Sequence, residues 1–242
     1  MPTLYDSTWP DVERLREILA KGEWPSVESA AGAFAEALSD SFSDVALVRV
    51  FAVIPVSKVP AAERDFARRF AADEPRFGPT TRTLTLLGTR GRDPNWNDRR
   101  RSRGHLCIPL IDRAFVDAAP MIAKLLADTD VDLAAFDDGR PIATRKLLGG
   151  KNGMFFVPDA LSATDANERF VIADRTFVER HAIRTVFGMA GAYLDGTLVL
   201  IIVFSTALIP RLTVDRFPSL ISNFKMATSR LAEEGRIFND EG

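Results

Sequence analysis

The residues best suited to chemistry lie in an arginine-rich stretch between positions 82 and 105. Its arginines are Arg82, Arg90, Arg92, Arg99, Arg100, Arg101 and Arg103, and Asp93 and Asp98 interrupt them. Planar guanidinium groups suit carboxylate or phosphate partners, and Trp96 among them could stack on a planar ligand. The stretch therefore predicts either an anion-binding surface or a solvated loop whose arginines pair with the chain's own carboxylates.

A second candidate is the pair His105 and Cys107. Residues two apart on a strand share a face, as a cysteine nucleophile and its base would. No third residue that would orient such a base is identifiable, and buried cysteine is commonly a small apolar filler. We therefore predict no catalytic residue here. The other histidine, His181, is predicted to end a helix, where it interacts favourably with the last carbonyls.

Metal-binding patterns are weak in this sequence. The acidic residues between Asp128 and Asp138 lack the glycine and the terminal glutamate of a calcium loop. A single cysteine, Cys107, cannot form a cysteine-rich zinc site. We therefore predict no metal.

Apolar periodicity predicts the elements that would position these groups. Helical spacing predicts a helix before Gly22, a second from Ser26 to about Ser43 and a last one from Val214 toward Arg236. Shorter helices are predicted at 60–72, 115–126 and 167–181. Strands are predicted at 45–54, 83–88, 106–110 and 154–157, and as a hairpin from 183 to 206 whose turn is Asp195-Gly196.

The order of these elements predicts a single α+β domain, since no internal repeat or low-complexity linker is evident. We expect a helical segment at residues 1–43 to pack on a domain formed by residues 44–242, as one structural unit.

Composition limits the classes of function. Arginine and lysine number 31 and aspartate and glutamate 33, so the net charge of −2 gives no global attraction to nucleic acid or to a membrane. The longest apolar run, 198–209, is shorter than the roughly 20 residues of a membrane-spanning helix. A lone cysteine and the lack of a secretory signal predict a cytoplasmic protein.

Several segments resemble GAF-like input domains of bacterial signalling proteins, such as those that precede histidine kinases. The resemblance is carried by segments 83–91, 96–100, 102–105 and 153–160, and by the later segments 170–172, 183–188, 195–198 and 203–205. It spans most of the chain after Asp44. It implies a central, mostly antiparallel β-sheet with helices on one face, ligand-binding elements on the other, and helices at the N- and C-terminal ends.

The resemblance also implies a function. It suggests a non-catalytic, small-molecule-sensing or regulatory domain that acts in signal transduction, as a homodimer through its terminal helices. A histidine kinase or another output protein would receive the signal in trans. No cofactor is predicted, although an unidentified small organic ligand would fit a pocket beside the sheet. The family-like segments supply the candidate ligand contacts Trp96, Asn97, Arg99, Arg100, His105, Phe155 and Arg184.

Two alternatives stay open. The chain could be a small-molecule enzyme that uses the segment from Trp96 to His105, or an interaction module that dimerises without a ligand. An enzyme should bring titratable groups together in one cleft, whereas a sensor needs shape and polar anchors. Two histidines, one cysteine and no recognised catalytic motif weigh against the enzyme.

Overall fold

A computed structural model describes residues 1–72, 74–102, 104–129 and 153–239. Within these residues, six strands form one sheet in the order β3-β2-β1-β6-β5-β4, and every neighbouring pair is antiparallel. The strands are β1 (Val45–Pro55), β2 (Arg82–Gly91), β3 (Cys107–Leu110), β4 (Gly153–Val157), β5 (Thr185–Ala192) and β6 (Leu198–Ser205). β1 and β6 lie at the centre because their side chains are apolar on both faces, apart from Arg49 on β1 and Ser205 at the end of β6.

The helices of the described residues vary in length. They are α1 (Trp9–Lys21), α2 (Val27–Ser41), α3 (Ala61–Ala71), α4 (Arg113–Asp117), α5 (Pro120–Asp128), α6 (Arg175–Arg180), α7 (Arg211–Val214) and α8 (Ser219–Glu233). Two 3₁₀ turns at Pro94–Trp96 and Arg99–Arg101 follow β2, and we call them the rim turns. A further 3₁₀ turn, Val56–Lys58, follows β1.

The long helices α1, α2 and α8 cover one face of the sheet. Their aromatic side chains interlock with it: the rings of Phe34 and Phe224 are 6.0 Å apart, and Phe217 lies 5.5 Å from Phe187 of β5. Leu15 of α1 belongs to the same buried cluster. The N-terminal helical segment therefore shares one hydrophobic core with the sheet.

The opposite face carries a second buried cluster. Leu47, Phe51 and Val53 of β1 point to this face, whereas Val48 and Val50 point to the long helices. This alternation follows from the two-residue period of a strand. The short helices α4, α5 and α6 lie on this second side, where the cluster opens into a cavity.

The predicted α+β class and antiparallel sheet are confirmed. The hairpin is also confirmed: Gly196 has a φ of 83° at the turn between β5 and β6, a conformation that glycine adopts without strain.

Three predicted helices were wrong in extent. The last one, expected from Val214 toward Arg236, is α8 from Ser219 to Glu233, and the separate short helix α7 ends at Val214. The helix expected at 115–126 is two helices, because Pro120 begins α5 after a break. The helix expected at 167–181 begins only at Arg175, where the Asp174 carboxylate caps it by accepting a hydrogen bond from the Phe177 N–H at 2.9 Å. Before it, Thr164 and Phe170 form a β-bridge instead.

Candidate functional site

A cavity of about 880 Å³ lies on the face of the sheet opposite the long helices. Its floor is formed by β1, β2, β3 and β6, and its walls by α4, α5, the rim turns and the segment from Val171 to Phe177. Most of the lining is apolar, including Phe51, Leu84, Ile108, Leu125, Ile202 and Phe204. Cavities that bind small organic molecules are of this size and character, about 300–1,000 Å³ with few polar groups.

Arg49 is the charged group on the cavity floor. It lies in the middle of β1, between Leu47 and Phe51, and on the same face as both. Its Nε atom is buried and has no hydrogen-bond partner, and no carboxylate of the described residues forms an ion pair with it. Burial lowers the pKa of Arg49 to about 10, so the guanidinium stays charged at neutral pH.

Thr89 lies directly opposite Arg49 on the neighbouring strand. Its hydroxyl is also buried without a hydrogen-bond partner. A register shift beside Val50 and Phe51 interrupts the alternation of β2, so Gly88 faces α2 and Thr89 faces the cavity. The irregularity in the sheet therefore places two unsatisfied polar groups side by side.

His105 lies at the rim, in the loop before β3. Its side chain is exposed to solvent, although neighbouring protein atoms crowd the ring. Burial, and then the positive charge of Arg49, lower the pKa of His105 to about 4, while Asp174 acts in the opposite direction. The imidazole is therefore neutral at pH 7.

Two carboxylates also line the cavity, and each is engaged by backbone. Asp98 accepts a hydrogen bond from the Arg100 N–H at 2.9 Å at the start of the second rim turn, and Asp174 caps α6. Arg101, an exposed arginine, adds a positive charge at the opening. Both acids thus accept capping hydrogen bonds, and within the part of the chain that the structure describes Arg49 has no counter-ion.

An aromatic group closes one wall. Trp96 meets His181 edge-on at 4.4 Å between ring centroids and lies 5.7 Å from Phe177, which contacts Phe204 of β6. His181 is the C-cap of α6, where the sequence placed it. The rings fix the first rim turn against the sheet.

Comparison with known proteins finds similarity only among solved structures. No protein family model matches the chain, and neither does any curated protein. Similar solved structures include the phycocyanobilin-bound GAF domain from a cyanobacterial phytochrome (8% identity, TM-score 0.48, 95% of this chain and 98% of that chain covered). A putative GAF sensor protein from Burkholderia vietnamiensis has 12% identity and a TM-score of 0.44 over 96% of this chain and 92% of its own.

Free methionine-R-sulfoxide reductase from Neisseria meningitidis, in complex with its substrate, is similar at 9% identity and a TM-score of 0.45, over 92% of this chain and 89% of that chain. Several further similar structures are also GAF domains.

The structure brings only part of the predicted site together. Of the seven candidate contacts, Trp96 and His105 line the cavity. Phe155 is fully buried in the core instead. The Asn97 side chain accepts a hydrogen bond from the Gly91 N–H at 2.8 Å, and Arg184 pairs with Asp159 at 3.3 Å. These three residues hold the scaffold and do not face the cavity.

Arg99 and Arg100 also lie outside the cavity. Arg99 donates to Glu28 of α2 at 2.6 Å and to Glu63 of α3 at 2.5 Å, and the three side chains are only 3–8% exposed. Burial opposes its charge, but the bonds and charges of both carboxylates outweigh burial and raise the pKa of Arg99. Arg100 is exposed, 4.0 Å from Glu28. For Arg99, pairing with the chain's own carboxylates is the correct interpretation.

The predicted shared face of His105 and Cys107 is wrong. β3 begins at Cys107, so His105 belongs to the preceding loop. Cys107 points into the core beneath the long helices, 3.4 Å from the Thr85 hydroxyl, and burial raises its pKa. The two groups cannot act as a nucleophile and base.

The acidic stretch after Asp128 lies mostly outside the described residues, as does Arg103. Within the described part of the chain, no helix combines the length and the hydropathy needed to cross a bilayer.

Sequence reasoning missed Arg49 and Thr89. A usable signal was present, because Arg49 is the only charged residue in the strand VALVRVFAVIP. A charge at such a position is costly unless something pairs with it. Because the candidate arginines were chosen where they cluster in the sequence, the exposed loop was selected instead.

Proposed function

We propose that this chain is a small-molecule-sensing, regulatory domain without catalytic activity, which passes its ligand state to an output protein in trans, such as a histidine kinase. The observation that carries the proposal is the cavity of about 880 Å³ on the face of the sheet opposite the long helices. Its walls are mostly apolar, and the Arg49 Nε on its floor has no hydrogen-bond partner among the described residues. Such a cavity offers shape and a polar anchor, which are what a binding site requires.

The placement of the reactive groups supports binding over catalysis. His105 lies in the loop at the cavity rim, whereas Cys107 lies on the other side of the sheet. Arg99, a group that an enzyme could have used, is held by Glu28 and Glu63. Among the described residues, the histidine and the cysteine therefore do not form a base and nucleophile pair in this cavity.

A route for output leads from the cavity rim through Arg99. This residue belongs to the second rim turn, whose neighbours Asp98 and Arg101 line the cavity. Its partner Glu28 accepts a hydrogen bond from the Asn239 N–H at 3.0 Å and donates its own N–H to the Ile237 carbonyl at 2.8 Å. A movement of the rim on binding would therefore reach α2 and the segment that follows α8.

We also propose a cytoplasmic homodimer through the terminal helices. α1 and α8 pack on each other, so they present a joint outer surface on which Trp9 and Met226 are 60% and 76% exposed. Static light scattering tests this arrangement: Met226→Glu should shift a dimer toward monomer, whereas a monomeric wild type would refute it.

Binding in the cavity is tested with N-phenyl-1-naphthylamine, an uncharged dye that fluoresces in apolar surroundings. We expect the wild-type protein to bind this dye. We expect the Ala119→Trp variant to lose binding, because Ala119 is half-buried and lines the cavity, so the larger side chain fills the space. Ala118→Trp is the matched control, because Ala118 is exposed and does not line the cavity. Its affinity for the dye should equal that of the wild type.

Stability gives a second readout of the same event. A dye that binds only the folded state, at a concentration of about 100 times its Kd, should stabilise the protein by about 2.7 kcal/mol. This corresponds to a rise in Tm of roughly 5–10 °C for a chain of this length. The proposal would be refuted if the Ala119→Trp variant bound the dye as well as the wild type does. It would also be refuted if the wild type bound neither this dye nor any compound in a metabolite screen.

A further inference from the structure

The cavity floor carries two polar groups that nothing in the described protein satisfies. The Arg49 Nε and the Thr89 hydroxyl are both buried, both face the cavity and belong to residues directly paired across β1 and β2. More than nine in ten buried polar groups in folded proteins find a hydrogen-bond partner. Two adjacent exceptions in one cavity therefore require an explanation.

The chemistry of the two groups selects the missing partner. A guanidinium only donates hydrogen bonds, and a threonine hydroxyl can donate one as well. An anionic oxygen accepts from both, and the planar fork of arginine fits a carboxylate. A neutral ligand would leave the charge of Arg49 uncompensated, which is costly in such surroundings.

The carboxylates that also line the cavity do not supply this partner. Asp98 and Asp174 accept backbone N–H bonds at the first residues of a 3₁₀ turn and of α6, and neither forms an ion pair with Arg49. Most of the remaining lining is apolar, and Phe51 and Ile202 lie adjacent to Arg49. The Arg49–Thr89 pair thus forms an anion anchor on the floor of a mostly apolar cavity.

We propose that the natural ligand is an organic anion of the carboxylate type, with its charged group bound by Arg49 and Thr89 and an apolar body in the rest of the cavity. This inference rests on the proposed sensing function and adds the chemical class of the ligand. It also gives the Arg49 guanidinium on β1 a role in recognising the ligand.

The test compares two dyes that differ by one charged group. 8-Anilino-1-naphthalenesulfonate has the skeleton of N-phenyl-1-naphthylamine plus a sulfonate, which serves as the anionic probe. We expect Arg49→Met to weaken binding of the sulfonate dye at least about ten-fold, as loss of a charge-assisted hydrogen bond does. Binding of the uncharged dye should change less than about two-fold. Arg90→Met is the matched control, because Arg90 pairs with Glu36 outside the cavity.

A second variant keeps the test decisive. Arg49→Met should fold, since it removes an unpaired charge from a buried strand. Should it nevertheless fail to fold, Thr89→Val retains the side-chain shape and should weaken the sulfonate dye alone by about three-fold or more.

The outcomes separate the inference from the function on which it rests. If the uncharged dye binds in the cavity but Arg49→Met and Thr89→Val leave the sulfonate dye unaffected, or weaken both dyes equally, the anion inference is wrong and the sensing proposal stands. If neither dye binds the wild type, both are refuted.

Discussion

Arg99 and Arg49 have opposite roles, and the difference lies in their neighbours. Arg99 has two carboxylates within 2.6 Å, whereas Arg49 has none among the described residues. Glu28 and Glu63 are 71 and 36 residues away from Arg99 in the sequence. No local pattern could reveal that pairing, so the sequence alone did not show that Arg99 is held by carboxylates in the core.

The Arg99 pairing predicts a large effect on stability. Arg99→Met leaves Glu28 and Glu63 buried without a cation, and removal of one partner from a buried ion pair costs about 3–5 kcal/mol. Urea denaturation measures the free energy of unfolding. Arg100→Met is the control: that exposed side chain lies 4.0 Å from Glu28, so its loss should cost no more than about 1 kcal/mol. Equal losses in both variants would contradict a structural role for Arg99.

His105 predicts a dependence of stability on pH. Its pKa is about 4 in the folded protein against an ordinary value of 6.5. Between these pH values the unfolded chain binds more protons at this residue, so the free energy of unfolding falls as the pH falls from 6.5 toward 4. Contact with water in the cavity makes the effect smaller than the full shift would imply.

The His105→Gln variant isolates this contribution. Both proteins share the same carboxylates, so we expect the variant to lose less stability than the wild type between pH 7 and pH 5 in urea titrations. Parallel curves for the two proteins would show that His105 titrates normally.

At the scale of elements, local patterns predicted most of the sheet. The apolar run of β1 and the Asp-Gly turn of the β5–β6 hairpin are short-range signals, and both elements were found where expected. The extents of α5 and α6 depend on Pro120 and on the Asp174 cap. These are signals carried by single residues, and a search for apolar residues at helical spacing does not detect them.

Helix α2 approaches β2 so closely that only glycine fits at the contact. A Cβ atom at Gly88 would lie 2.4 Å from the backbone carbon and oxygen of Ala31. We therefore expect Gly88→Ala to destabilise the protein by about 1–3 kcal/mol or more, because backbone must move to accommodate it.

Gly78→Ala provides the comparison for this prediction. A Cβ at Gly78 meets no atom within 4 Å, so its effect on thermal or urea unfolding should stay within about 0.5 kcal/mol. A Gly88→Ala protein as stable as Gly78→Ala would mean that α2 does not rest on β2 at this point.

At the scale of the whole molecule, the cavity and the segment after α8 lie on opposite sides of the sheet, and Arg99 and Glu28 connect them. We expect N-phenyl-1-naphthylamine to slow hydrogen exchange at residues 26–29 and 236–239 by about two-fold or more, because binding orders the rim turns. Hydrogen-exchange mass spectrometry measures this. The Ala119→Trp variant should show no such change, and unaltered exchange in the wild type with the dye bound would refute the route.

The most direct measurement is a crystal structure of the protein with 8-anilino-1-naphthalenesulfonate bound. We predict the ring system against Phe51 and Leu84, with a sulfonate oxygen about 2.7–2.9 Å from a guanidinium nitrogen of Arg49. A dye bound outside the cavity, or one inside it whose sulfonate faces solvent while Arg49 stays without a partner, would contradict the proposed anion site.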